Sequence, residues 1–177
     1  MSTARTGQLM VRHYVDNRRP NITVVVDTEI ESYRSERQFD LAIEVAASLG
    51  VSSLLHGQPV AVWLDRDVVT GQNRPAGRND ILDRLTLAAG ATGTDVSDAA
   101  LHALRAEAGT SALVVVTGDV PTDRFLAMHA VARRSARVIL VRTWPAGDRL
   151  PGVLPGARVI DIDELDSFQA AWSRVTS

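Results

Sequence analysis

Asp27, Glu29 and Glu31 place three carboxylates within five residues, directly after the apolar run Ile22-Thr23-Val24-Val25-Val26. Further along, the stretch GATGTDVSDAAL supplies hydroxyls at Thr92 and Thr94 and a carboxylate at Asp95, and Asp119 follows the run VVVTG. Carboxylates and hydroxyls drawn from separate loops are the hard oxygen ligands that Mg²⁺ or another divalent cation takes. Such a cluster could carry metal-dependent phosphoester chemistry, as in a phosphohydrolase or nuclease. Acids at strand ends also serve simply as turn formers and helix caps. Asp65, in Asp65-Arg66-Asp67, reads as a solvated turn of that kind.

Composition removes several other chemistries. All 19 basic residues are arginine, and lysine is absent. A Walker A loop needs its lysine at the phosphates, a Schiff-base enzyme needs its amine, and a receiver-type phosphoacceptor site normally uses a lysine. Cysteine is absent too, which excludes disulfides and thiolate metal sites. The histidines fall singly at positions 13, 56, 102 and 129, with no catalytic dyad or metal pair evident. No G-x-S-x-G elbow activates a serine. The formal charge of −2 gives no footprint for nucleic acid. No apolar run is long enough to span a membrane, and no signal-peptide pattern precedes residue 22, so the chain reads as a soluble, cytoplasmic domain. The balance points away from an enzyme.

The elements that must position these acids are legible as alternating apolar patterns. Strands are expected at Thr23–Asp27, Val60–Asp65, Leu113–Thr117, Arg137–Arg142 and Arg158–Ile162, with a short edge strand at Asp67–Thr70. Their β-branched, non-alternating character suits strands covered on both faces. Phe39, Ala42, Ile43, Ala46 and Leu49 mark one face of a first helix, started by a capping box Ser35-x-x-Gln38 and stopped at Gly57. Further helices are expected over about Asp80–Ala89 with Ile81, Leu82 and Leu85 inward, after Ser97, after Thr122 with Phe125, Leu126 and His129, and after Asp163. Segment 143–157 shows no helical pattern. This order predicts a doubly wound, mainly parallel open sheet of five or six strands with helices on both faces, a Rossmann-type three-layer α/β fold. Ligands of such sheets bind beyond the carboxyl ends of the strands, where Asp27 and Asp119 stand.

Two resemblances follow from these residues. Asp27 at the end of the first long strand, Thr94 in the GT loop before a helix, and Asp119 after a later strand resemble the von Willebrand factor A fold. That likeness implies a metal-ion-dependent adhesion site, built from an Asp-x-Ser-x-Ser motif, a Thr and a distant Asp. The opening segment, through Ala4, Arg5, Gly7, Leu9, Val11, Arg12 and Tyr14, together with the helix FDLAIEVAASL, resembles the bacterial domain of unknown function fifty-eight family. The resemblance implies that residues 1–21 are a remnant of an upstream signature segment and that residues 22–177 form a von Willebrand factor A-like domain. It also implies a C-terminal portion of a longer, membrane-anchored protein that works with a MoxR-type AAA+ ATPase.

This chain departs from the adhesion-site motif. Glu29 and Glu31 stand at the two serine positions, and Asp119 lies one residue late. The expected candidate metal ligands are Asp27, Glu29, Glu31, Thr94 and Asp119, and their crowded charge would raise carboxyl pKa values unless a cation such as Mg²⁺ offset it. Arg5, Arg12, Arg18 and Arg19 are the candidate partner-binding residues. The function expected is a non-enzymatic interaction module with a degenerate metal site; the alternative is the divalent-metal-dependent phosphohydrolase or nuclease.

Overall fold

The computed structural model describes residues 21–145 and 152–176. Arg5, Arg12, Arg18 and Arg19, the rest of the opening segment up to residue 20, and residues 146–151 of the 143–157 connection lie outside the described residues. The first strand already includes Asn21.

Six strands form one sheet: β1 (Asn21–Val26), β2 (Val60–Leu64), β3 (Asp67–Thr70), β4 (Thr110–Thr117), β5 (Arg137–Thr143) and β6 (Arg158–Ile162). Their spatial order is β3-β2-β1-β4-β5-β6. Every neighbouring pair is parallel except β2–β3, joined by the two-residue turn Asp65-Arg66. Asp65 adopts a positive φ of 50°, which a short polar residue tolerates. The expected fold class stands: a six-stranded, mostly parallel sheet between layers of helix.

Alternation along the strands divides the core in two. Val24, Val26, Val62, Val114, Val116 and Val141 face one layer, with α1 (Glu36–Leu55), α2 (Arg78–Thr86) and α5 (Leu165–Thr176). Val25, Trp63, Leu113, Val115, Val138 and Leu140 face the other, with α3 (Val96–Ala106) and α4 (Leu126–Ala132). Strands covered on both sides show no polar alternation, which is why they read as continuous apolar runs.

Several local expectations change. The capping box at Ser35 does not close: Ser35 makes no side-chain cap, and Gln38 reaches one residue further back, accepting from the Arg34 N–H at 2.6 Å. The Gln38 amide then donates to the Thr143 carbonyl at 3.1 Å, tying α1 to the end of β5. The second helix is shorter than expected, ending at Thr86, and α3 starts before Ser97 because Asp95 caps it through the Ser97 N–H at 2.8 Å. In α4, Leu126 is exposed while Met128 and His129 are buried. Helix α1 does end as expected at Gly57, whose positive φ of 63° lets its N–H return to the Leu54 carbonyl.

By length and composition α1 is the one described helix that could cross a membrane. Here its Leu41, Ala42, Val45, Ala46 and Leu49 pack on the sheet, while Glu36, Arg37, Asp40 and Glu44 face outward. Its apolar character thus has a core to account for it.

Candidate functional site

The chain leaves β1 and crosses to β2 on one side, then returns to add β4 on the other. The carboxyl ends of β1 and β4 therefore flank the topological switch point, where open sheets hold their ligands. Asp27 sits there, anchored by its N–H to the Val116 carbonyl at 2.8 Å, and its residue is only 2% exposed.

Protein donors surround its carboxylate. Oδ2 accepts from the Thr117 hydroxyl at 2.7 Å, Oδ1 accepts from the Glu29 N–H at 2.9 Å, and the Ser32 hydroxyl adds a further bond. The Tyr33 hydroxyl donates to the Asp27 backbone carbonyl at 2.6 Å. Burial raises the Asp27 pKa above its ordinary 3.8; the Thr117, Glu29 N–H and Ser32 bonds oppose that shift, and the Glu29 charge adds to it only as the smallest cause. Burial of the Tyr33 phenol, followed by the Asp27 charge, pushes its pKa well above 10.0. Desolvation, not crowded charge, thus governs the site.

Past Asp27 the chain turns into a short 3₁₀ helix at Ile30–Ser32. Its three-residue repeat places Ser32, not Glu31, under Glu29. Glu29 caps that turn, accepting from the Glu31 N–H at 3.4 Å, and its second oxygen accepts from the Thr94 N–H at 2.9 Å. Two backbone bonds, from the Ala91 N–H to the Thr28 carbonyl at 2.7 Å and from the Ile30 N–H to the Ala91 carbonyl at 2.9 Å, stitch the same loop alongside. Glu29 therefore works as a clasp between two loops.

Gly118 lets these loops meet β4. A Cβ there would run into the Ser32 carbonyl and lie 2.7 Å from Tyr33 Cδ1, and the next residue's N–H, that of Asp119, bonds the Ser32 carbonyl at 2.6 Å. The Asp119 carboxylate turns away to pair with the Arg34 guanidinium. Arg34 lies 5.3 Å from the centre of the Trp144 ring, and Arg142, with its Cζ 5.1 Å from the same centre, pairs with Asp161 at 2.7 Å. Trp144 is thus flanked by two guanidinium groups, each held by an aspartate.

Of the five residues expected to gather, Asp27, Glu29 and Thr94 line one cleft of about 340 Å³ between α3 and α4, joined by Ser32. Glu31 is exposed, and neither it nor Asp119 lines that cleft. The apolar wall comes from residues such as Leu101 and Met128. The Thr94 hydroxyl is buried without a hydrogen bond. Among the described residues no group of three or more His, Asp or Glu side chains is placed to hold a metal ion. Asp27 faces the Thr117 hydroxyl and the Glu29 N–H, Glu29 faces the Thr94 N–H, and Asp119 faces the Arg34 guanidinium. Ser32 was not among the expected residues; its signal, a serine five residues after Asp27, is visible only once the turn is known to be helical.

A comparison with curated proteins found no match. The family model described as "Protein of unknown function DUF58" matches residues 1–164, nearly the whole chain, and the chain belongs to that family.

Proposed function

We propose that this domain is a non-enzymatic protein-interaction module of von Willebrand factor A-like type whose metal-ion-dependent adhesion site is degenerate. The observation that carries this reading is the state of Asp27. At the switch point, where an adhesion-site aspartate would face an ion, its carboxylate faces the Thr117 hydroxyl and the Glu29 N–H. Glu29, at a position where the motif has serine, reaches the Thr94 N–H instead of an ion. The acids lock three loops into a fixed edge, and a fixed edge is what a docking partner needs. Metal-dependent hydrolysis lacks the converging ligands it requires among the described residues.

The partner we propose is a protein, with a MoxR-type AAA+ ATPase as the candidate the resemblance supplies, and the arginines at positions 5, 12, 18 and 19 remain a second candidate contact. The test is a pull-down of a purified MoxR-type ATPase by the chain, with Mg²⁺-nucleotide supplied to the ATPase throughout. Retention that is lost on Glu29→Ala supports the reading. Absence of retention, or turnover of phosphoesters with Mn²⁺ that disappears in Asp27→Asn, would overturn it.

A further inference from the structure

Beside the cleft, on the α1 side of the same edge, lies a second hollow. Ile30, Tyr33 and Phe39 form one side and Ala88, Ala89 and Gly90 the other, around about 540 Å³. Tyr33 and Phe39 meet edge to face, 5.3 Å between ring centres, which gives the groove a firm apolar floor. Ile30 is 56% exposed, and Leu87, just before Ala88, is 83% exposed. Ile30 lines the groove and Leu87 adjoins a lining residue in sequence, so both offer apolar surface that a partner could cover.

The rim is acidic. Glu36 and Asp40 line the groove, and Glu44 continues them at a spacing of four along α1, all three exposed on one helical face. Asp40 also borders a neighbouring hollow that contains Glu44, Asp163 and Glu164, with Arg37 as its base. Glu31 is exposed next to Ile30. Arg34, the arginine on the groove itself, is engaged by Asp119 and Trp144.

We infer that this groove docks a segment of a partner protein in which one bulky apolar side chain is flanked by arginine or lysine. The inference rests on the interaction-module reading and names the chemistry of the partner. The apolar side chain enters between Phe39 and Ala88, and its basic neighbours meet Glu36, Asp40 and Glu44. Charge complementarity selects this occupant over the others. Anionic lipid headgroups and nucleic acid meet like charge at the rim. A second copy related by a two-fold axis would bring the same acids face to face. Exposed charges at a rim act chiefly on encounter rate and specificity, while the buried apolar anchor carries most of the affinity.

The test uses the full chain panned against a displayed library of random 12-residue peptides, with the enriched sequences then synthesised and titrated by fluorescence anisotropy. Three variants accompany it: Ile30→Ser with Leu87→Ser, Glu36→Gln with Asp40→Asn and Glu44→Gln, and Asp27→Asn with Glu29→Gln in the neighbouring cleft. The first two alter exposed side chains, and unchanged melting curves verify their folding. Enriched peptides should pair Leu, Ile or Phe with Arg or Lys. Their Kd should rise about tenfold in each of the first two variants, and rise with salt as screening lengths shorten. It should stay unchanged in the third. Failure to enrich any sequence, enrichment of acidic or purely apolar peptides, or affinities indifferent to the first two variants would overturn the inference. Binding lost only in the Asp27/Glu29 variant would also overturn it, while leaving the interaction-module reading intact. A peptide spanning residues 1–20 of the chain that outcompeted the selected sequences would reassign the groove to the chain itself. The module reading falls separately, if the ATPase pull-down is empty.

Discussion

Two parts of one sheet edge treat their aspartates in opposite ways. At the end of β1, Asp27 is 2% exposed and held by the Thr117 and Ser32 hydroxyls and the Glu29 N–H. Just past the end of β4, Asp119 binds Arg34, and within β6, Asp161 binds Arg142, the two guanidinium groups flanking the Trp144 ring. The difference teaches what an acid at a strand end signals. Where a guanidinium is available, the carboxylate is a structural ion pair; where only neutral donors are, burial raises its pKa and the group becomes titratable near the surface of a site.

Breaking the ionic region should cost most. Arg142 is 2% exposed, and Arg142→Met would leave Asp161 without the guanidinium it now faces. A loss of about 3 kcal/mol in urea unfolding is expected, in the range for removing one partner of a buried pair. Next comes the seam joining the two regions. Gly118→Ala drives a methyl group into the Ser32 carbonyl and should cost about 2 kcal/mol, also read by urea unfolding. Within the neutral region, Thr117→Val removes one donor from the buried carboxylate at 2.7 Å, for a loss of about 1.5 kcal/mol at neutral pH.

A smaller effect sharpens the contrast through pH. The folded Asp27 pKa lies above its ordinary 3.8, so the folded state holds that proton more tightly than the unfolded chain does. Below the unfolded value both states are protonated and the group carries no penalty. As pH rises toward the folded value, stability falls, and it is level again beyond it. Asp27→Asn should abolish that fall. Unfolding free energies of both proteins, measured from about pH 3 to about pH 7, should diverge only across this window. Parallel profiles would mean that Asp27 is not desolvated. Smallest of all, Glu29→Gln keeps an oxygen for the Thr94 N–H and should change stability by less than about 0.5 kcal/mol, whereas Glu29→Ala frees the loop and should cost about 1 kcal/mol.

Much of this arrangement was legible in the sequence, because strands buried on both faces announce themselves as β-branched runs and five of them, with the edge strand, fall where expected. Asp27 and Thr94 were also correctly associated with one edge of the sheet. Glu31 was not, for a local reason: alternate spacing assumes extended chain, and the backbone past Glu29 coils into a 3₁₀ turn that presents Ser32 in its place. Asp119 stands at the same edge but does not line the cleft, for a different reason. Its partner Arg34 lies 85 residues away in sequence, and no local pattern encodes that pairing. Gln38 likewise passed for half of a capping box, when its amide serves the Thr143 carbonyl across the sheet end. The sequence predicts raised carboxyl pKa values from crowded charge; at Asp27 the pKa is raised, and its chief cause is burial.

The central claim is that protein donors occupy the carboxylates an adhesion site would offer to an ion. The melting temperature with and without Mg²⁺ or Mn²⁺ tests it most directly. An ion present at about 100 times its Kd adds about 2.7 kcal/mol, or about 5–10 °C for a chain of this size. The account predicts a melting temperature unchanged by either ion. A rise of that size, abolished by Asp27→Asn, would contradict it.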